Sequence, residues 1–305
     1  MSFFITLSAV ATMLLYAVPA YALGKIKIAR SEHLPLLAVV LLYICTPAII
    51  INSFQKLTFS SDSLLKLGIY LLLAFALQAV MMGGAWIFVR KSDQKRHRVA
   101  AIATSLGNCG FFGIPLLKAL LPDNHEAVIY SAVFSIAMNT IAFTFGSLLI
   151  SGNRKYIKAK KIFFNPAMIG AFIGIPLFIF GIKLPDIISV ALEGCVSLST
   201  PVCMFVLGIR LSTVKLHKIF TNTSAYLAIA AKQLIMPLLA IAITAVLPFD
   251  NVLETGFIAI SACPVASVVL NLSELIGEGQ KDAADCVLLG TILSIITIPI
   301  VSLFM

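Results

Sequence analysis

Charge is scarce in this chain: 11% of its 305 residues are Asp, Glu, Lys or Arg, and 60% are hydrophobic. Soluble domains carry roughly 25% charge. With a mean hydropathy of +1.04, a soluble fold is excluded and an integral membrane protein is indicated. The four histidines, His33, His97, His125 and His217, all fall in polar connections, and none is spaced with another for a metal. There is no H-E-x-x-H, no G-x-S-x-G and no P-loop, so an enzyme reading has nothing to stand on. No catalytic residue, metal or cofactor is expected. The six cysteines (45, 109, 195, 203, 263 and 286) contain no C-x-x-C pair and lie in or beside apolar runs. They read as small buried thiols, not as disulfides or metal ligands. No Asp or Glu stands at mid-depth in an apolar run; Glu193 and Glu254 lie near run ends. A carboxylate proton relay and an acidic sodium cage are therefore poorly supported.

What the chain has is a series of long apolar runs. Charged punctuation separates ten of them, at 3–23, 35–54, 67–89, 99–121, 126–150, 165–182, 187–209, 224–247, 254–275 and 286–304. Each approaches the roughly 20 residues an α-helix needs to cross a bilayer. An all-α protein of ten transmembrane helices is expected, with no room for a soluble domain. Ala20, Tyr21 and Ala22 resemble a signal-peptide cleavage site. Yet no Lys or Arg precedes that run, and Lys25, Lys27 and Arg30 follow it, so 3–23 reads as a membrane span.

Positive charge alternates between connections. The odd ones hold Lys25, Lys27 and Arg30; Arg90, Lys91, Lys95, Arg96 and Arg98; Arg154, Lys155, Lys158, Lys160 and Lys161; and Arg210, Lys215 and Lys218. The even ones hold only Lys56, Lys66, Lys118 and Lys183. The positive-inside rule makes the odd connections cytoplasmic and puts both termini outside. The ninth connection carries Glu274, Glu278, Asp282 and Asp285 against Lys281, but acidic residues count little in that rule. The net charge of +9 thus reads as topology beside anionic lipid, not as nucleic-acid binding.

Two spans are interrupted. GNCGFFGIP, from Gly107 to Pro115, places glycines, an asparagine and a proline inside the fourth, and Ser261, Cys263 and Pro264 interrupt the ninth. Proline removes a donor and clashes with the preceding turn, and each glycine is about 1 kcal/mol less favourable than alanine in a helix. Such backbone is tolerated in hydrocarbon only where protein buries it or a wet cavity meets it. A matched pair of interrupted spans points to a transporter binding site. The halves also align: Pro19 and Gly24 with Pro176 and Gly181, Thr46 and Pro47 with Thr200 and Pro201, Gln78 and Met81 with Gln233 and Met236. Residues 1–150 and 165–305 then form two five-span repeats, inverted because five is odd, which suits alternating access.

Each break leaves N–H groups on one half-helix and C=O groups on the other. The N–H end favours a carboxylate and the C=O end a cation. If the breaks cross, four such ends converge. Candidate ligand groups are Asn108, Cys109, Gly110, Gly113 and Pro115 in the first break and Ser261, Cys263, Pro264 and Ser267 in the second, with N–H ends at 110–115 and 263–267. Ser105 can add a hydroxyl. Asn108 offers a donor and an acceptor, or it caps a half-helix. Lys232 is the only Lys or Arg well inside a span, roughly 12 Å from the cytoplasmic end at 1.5 Å per residue. It either snorkels to the interface or supplies a fixed positive charge for an anion, or in place of a coupling cation. Gln78 and Gln233 read as interhelical hydrogen-bond partners.

With these residues in hand, the chain resembles the auxin efflux carrier family, which includes plant PIN proteins and bacterial permeases linked to malonate or malate. NCGFFGIPLL (108–117), AAKQLIMPLL (230–239), ACPVASVVLNLSEL (262–275) and TPVCMFVLGIRL (200–211) carry the resemblance. It implies an inverted-repeat fold of the bile-acid-symporter/NhaA-like kind in a bacterial cytoplasmic (inner) membrane. Spans 1, 2, 6 and 7 (3–54, 165–209) would form a scaffold, and spans 3–5 and 8–10 (67–150, 224–304) a mobile transport domain. The crossed breaks of spans 4 and 9 would lie at the substrate site. It further implies a homodimer and elevator-like transport, secondary active or facilitated, of a small organic anion. The short basic stretch 151–164 replaces the long loop of the plant carriers, and auxin itself is not implied. A sodium-coupled symporter of the bile-acid type and a non-transporting membrane sensor or scaffold are the rival readings.

Overall fold

The computed structural model describes residues 2–90, 94–124, 127–152, 164, 166–213, 220–247 and 249–305. Among them every regular element is helical: α1 (Phe3–Lys25), α2 (Ser31–Gln55), α3 (Ser61–Val89), α4 (Lys95–Ala103), α5 (Cys109–Leu120), α6 (Val128–Ser151), α7 (Pro166–Ile179), α8 (Asp186–Thr213), α9 (Thr223–Val246), α10 (Asn251–Ala262), α11 (Val268–Ile276) and α12 (Gln280–Phe304). Seven of these, α1, α2, α3, α6, α8, α9 and α12, are long and apolar enough to cross a membrane. The chain is an all-α, multi-pass membrane protein. Side-chain caps fix three starts: Ser60 accepts from the Ser63 N–H, Asn222 from Ala225 and Asp250 from Leu253. Lys66 on α3 bridges Asp62 and Asp250 at 3.1 and 3.2 Å, so α3 and α10 begin at the same end of the molecule.

The fourth and ninth apolar runs are not continuous helices. Each is a pair of short ones, α4 with α5 and α10 with α11, and α10, at 12 residues, rises only about 18 Å. A hydrocarbon core of about 30 Å outruns any one of them. The helices α6 and α12 lie innermost, with 61% and 56% of their most apolar windows buried, against 28% for α1. The apolar faces left exposed on the outer helices are those that meet lipid.

Two tight pairings organise the outer helices. On α7, Gly170 and Gly174 let α2 approach so closely that added Cβ atoms would stand 3.0 Å from Pro47 Cα and 2.9 Å from Phe54. Gly208 on α8 lies against α1, where a Cβ would overlap the Ala17 carbonyl oxygen. This is the small-residue packing that replaces the hydrophobic effect between membrane helices.

The alignment of Gly24 with Gly181 does not hold in the structure. Gly181 is a left-handed residue (φ 64°) closing α7, and the corresponding position after α1 is Lys27, also at φ 64°. The bonds agree: Ile182 N–H to Leu177 O and Ile28 N–H to Leu23 O, at 2.9 and 3.0 Å. Gly24 instead permits close packing, because a Cβ there would overlap Ser212 Oγ. The two glycines thus have different physical jobs, and the left-handed residue after α1 lies three positions beyond Gly24.

Among the described residues, three of the four widened turns precede a proline, the exception being Ala142–Gly146. The π-helical turns Leu41–Cys45, Cys109–Gly113 and Ala231–Ile235 each end two residues before a proline, Pro47, Pro115 and Pro237. A proline lacks its own N–H and crowds the carbonyl four residues back, and a widened turn absorbs both defects. Pro115 therefore does not break its helix, contrary to the expectation from GNCGFFGIP. The unwound stretch is 104–108, and α5 is already wound at Gly110, Gly113 and Pro115.

Candidate functional site

The two breaks meet and pair. Gly107 and Val265 form an antiparallel bridge. The Asn108 N–H donates to Pro264 O at 2.7 Å, and the Ala266 N–H to Leu106 O at 2.9 Å. Unwound backbone inside a membrane protein needs internal partners, and here each break supplies them to the other. The sequence motif makes this possible at Gly107, which has no side chain to hold the strands apart.

Lys232 fills the space beside that bridge. It is fully buried, and its Nζ donates to the Ser261 carbonyl at 2.5 Å. A Cβ on Gly107 would stand 2.8 Å from Lys232 Cε and 2.9 Å from Nζ. The lysine therefore points into the bundle and does not snorkel. Its amine meets the carbonyl end of α10, the partially negative end of the helix dipole. Among the described residues no carboxylate forms an ion pair with it.

Asn108 stands at the start of α5 but makes no side-chain cap bond; its backbone O takes the Phe112 and Gly113 N–H groups instead. Its Nδ2 faces Cys203 Sγ on α8 at 3.9 Å. The side chain lies between two small cavities. One, about 50 Å³, is bounded by Asn108, Phe111, Cys203, Arg210, Ser267 and Asn271. The other, about 110 Å³, is bounded by Asn108, Cys109, Gly110, Ser135, Asn139 and Ser267. A water occupies about 30 Å³, so the larger cavity has room for a few heavy atoms. Asn108 and Ser267, one from each break, are common to both.

The remaining expected residues take several different places. Cys109, Gly110 and Ser267 join Asn108 around the cavities, while Ser261 and Pro264 present carbonyls to Lys232 and Asn108. Gly113 packs within contact of Cys263 Sγ, and both are buried between α5 and α10. The hydroxyls of Ser105 and Ser261 turn back to Ile102 O and Ile258 O on their own helices. Gln233 ties α9 to α12 through Gly290 O (2.7 Å) and Thr297 Oγ1 (2.9 Å), as an interhelical partner should. Gln78 bonds Ala74 O on its own helix, and its Oε1 has no described partner.

The sequence reading missed a polar stripe on α6. Ser131 Oγ donates to Cys109 O at 2.5 Å, Ser135 Oγ lies 3.0 Å from Cys109 Sγ, and Asn139 Nδ2 donates to Ser135 O at 2.8 Å. The i, i+4, i+8 spacing of these residues was a readable signal. Thr200 on α8 was missed as a contact: its Oγ1 donates to Phe111 O at 3.0 Å.

Comparison with known proteins adds an independent observation. A family described as membrane transport protein matches the chain over residues 5–163 and 156–302. An uncharacterized transporter of Methanocaldococcus jannaschii is 24% identical over 279 residues, 89% of each chain. Another from Methanothermobacter thermautotrophicus is 25% identical over 300 residues, 95% of each chain. A Rhizobium meliloti protein whose name assigns it provisionally to malonate transport is 22% identical over 222 residues, 70% of this chain and 68% of its own.

Proposed function

Because this chain belongs to the membrane transport protein family, the auxin efflux carriers, we propose that it moves a small organic anion, a mono- or dicarboxylate, by alternating access. The observation that carries this reading is the buried Lys232 amine at paired helix breaks, beside two cavities that share Asn108 and Ser267. In the proposed site the Asn108 amide orients a carboxylate. The first-turn N–H groups of α5 and α11, the positive ends of their dipoles, stabilise its charge. Lys232 contributes long-range positive potential from behind the bridge. The absence of acidic residues in the described cavity linings favours an anion over a cation as cargo.

Lys232 also bears on coupling. An amine donating to the carbonyl end of α10 does what a bound sodium ion would do there, and it cannot leave. We therefore read the carrier as sodium-independent. Flux unchanged when choline replaces sodium supports this, and sodium-dependent flux overturns it in favour of a bile-acid-type symporter.

The architecture we propose is ten crossings in two inverted repeats, counting α4 with α5 and α10 with α11 as one crossing each. The two family matches meet at 156–163, inside the basic connection between the halves, which supports that division. In this reading α1, α2, α7 and α8 form the scaffold of a homodimer in a cytoplasmic membrane. Both termini lie outside, and the remaining helices move past the scaffold as an elevator.

The test is a thermal-stability screen of the purified protein against organic acids, followed by flux of the hits in proteoliposomes. Asn108→Ala is expected to abolish flux and ligand-induced stabilisation while leaving the melting temperature without ligand unchanged. Undiminished flux in that variant would remove the site assignment.

A further inference from the structure

A groove of about 560 Å³ lies between α3 and α6, where both helices end at the basic connections. Met82, Gly83 and Trp86 form one wall, and Ile141, Phe145 and Leu148 the other. Gly83 opens it: a Cβ built there meets nothing within 4 Å. Phe145 is 62% exposed and Trp86 44%, so these spanning helices present the groove sideways to hydrocarbon. Two arginines close one end. The Arg90 guanidinium carbon lies 5.9 Å from the Trp86 ring centre. Arg98 lies against Gly152, where a Cβ would stand 3.2 Å from its Nη1. Among the described residues neither arginine has a carboxylate in an ion pair.

We propose that this groove holds one anionic glycerophospholipid, with its phosphate between Arg90 and Arg98 and an acyl chain along Gly83. Guanidinium groups match phosphate oxygens in planar, two-point hydrogen bonds. Tryptophan at a helix end marks headgroup depth. A basic pocket between membrane helices, continuous with an apolar channel, fits a headgroup and its chain together. A water-soluble anion would use the arginines but gain nothing from the apolar walls. A zwitterionic headgroup would place its own cation against two guanidinium groups. The occupant would join α3, α4 and α6, because Arg98 belongs to α4 and Gly152 closes α6. This site is separate from the breaks and does not depend on which solute they bind.

The experiment uses the full-length protein, stripped of lipid in detergent and titrated with phosphatidylglycerol, phosphatidylethanolamine or glycerol phosphate while its melting temperature is followed. Phosphatidylglycerol is expected to raise the melting temperature well beyond phosphatidylethanolamine at equal mole fraction, and glycerol phosphate to leave it unchanged. The double variant R90A/R98A should weaken the apparent affinity for phosphatidylglycerol about tenfold or more. Gly83→Phe keeps both arginines but fills the channel, and it should lose one retained phosphatidylglycerol per protomer in native mass spectrometry. Equal stabilisation by both lipids would overturn the proposal, as would an equal effect of glycerol phosphate. So would full lipid retention by Gly83→Phe, a readout that stands even if the double variant fails to fold.

Discussion

A lysine amine buried away from any carboxylate needs another source of negative potential, and at Lys232 that source is backbone. The Ser261 carbonyl accepts a hydrogen bond from Nζ at 2.5 Å, and the aligned peptides of α10 add roughly half a negative charge at the same end. Burying a charge this way is expensive, and a well-packed apolar residue of similar volume is often neutral or stabilising in its place. Lys232→Met is therefore expected to melt at the same temperature as the parent or higher while flux falls to background. A lowered melting temperature with flux retained would make the lysine a structural residue. Gly107 supplies a second handle. Its added Cβ would lie 2.8 and 2.9 Å from Lys232 Cε and Nζ, so Gly107→Ala must push the amine off Ser261. We expect Gly107→Ala to lower the melting temperature in the parent and not at all further in a Lys232→Ala background, the coupling signature of residues in contact. Equal losses in both backgrounds would show that Gly107 acts without Lys232.

At the scale of elements, the interrupted spans were legible because Gly107, Asn108, Cys263 and Pro264 cannot continue a lipid-facing helix. The extent of the first interruption was not legible. Pro115 reads as a helix breaker in sequence, yet the π-helical turn Cys109–Gly113 before it takes up the missing donor, and Phe111 O accepts from Thr200. The pairing of the breaks was equally hidden, since Leu106 and Ala266 come from distant parts of the chain and carry ordinary side chains. The depth of Lys232 could be counted from the sequence, but its partner could not, because a backbone carbonyl leaves no residue-type signal. These differences separate two substitutions that look alike on paper. Ala266→Pro removes the N–H that satisfies the buried Leu106 O, and an unsatisfied carbonyl costs about 1–3 kcal/mol. It should lower the melting temperature in detergent clearly and reduce the folded yield. Pro115→Ala, in the first turn of the regular part of α5, should change stability by less than about 1 kcal/mol. Reversal of that order would mean that Pro115, not the ladder, holds the break open.

Across the whole molecule, the bonds divide unevenly between the two proposed bodies. Within the α1, α2, α7 and α8 group, glycine-mediated contacts are reinforced where Lys183 Nζ donates to Gln55 O at 2.7 Å and Lys56 pairs with Glu193 at 3.2 Å. Between that group and the rest, the polar ties include Thr200 to Phe111 O (3.0 Å), Asn108 to Cys203 (3.9 Å), Arg210 to Glu274 (3.1 Å) and Thr6 to Ser302 (3.0 Å). Three of these join small groups and the fourth is a partly exposed ion pair, each a single contact, so all can be exchanged for others if one body slides. Rigid packing inside a group with exchangeable ties between groups is what a two-body movement requires. Thr200→Cys combined with Phe111→Cys, in a background lacking the six native cysteines, tests it directly. A short thiol cross-linker applied to that pair should arrest flux, and reduction should restore it, if α5 moves past α8 in each cycle. A control pair within one group, such as Gln55→Cys with Ile182→Cys, whose parent residues already share a 3.1 Å hydrogen bond, should cross-link without loss of flux. Continued flux with the Thr200–Phe111 pair fully cross-linked would rule out the elevator and leave a carrier that opens its two sides by smaller, local movements around a fixed α5.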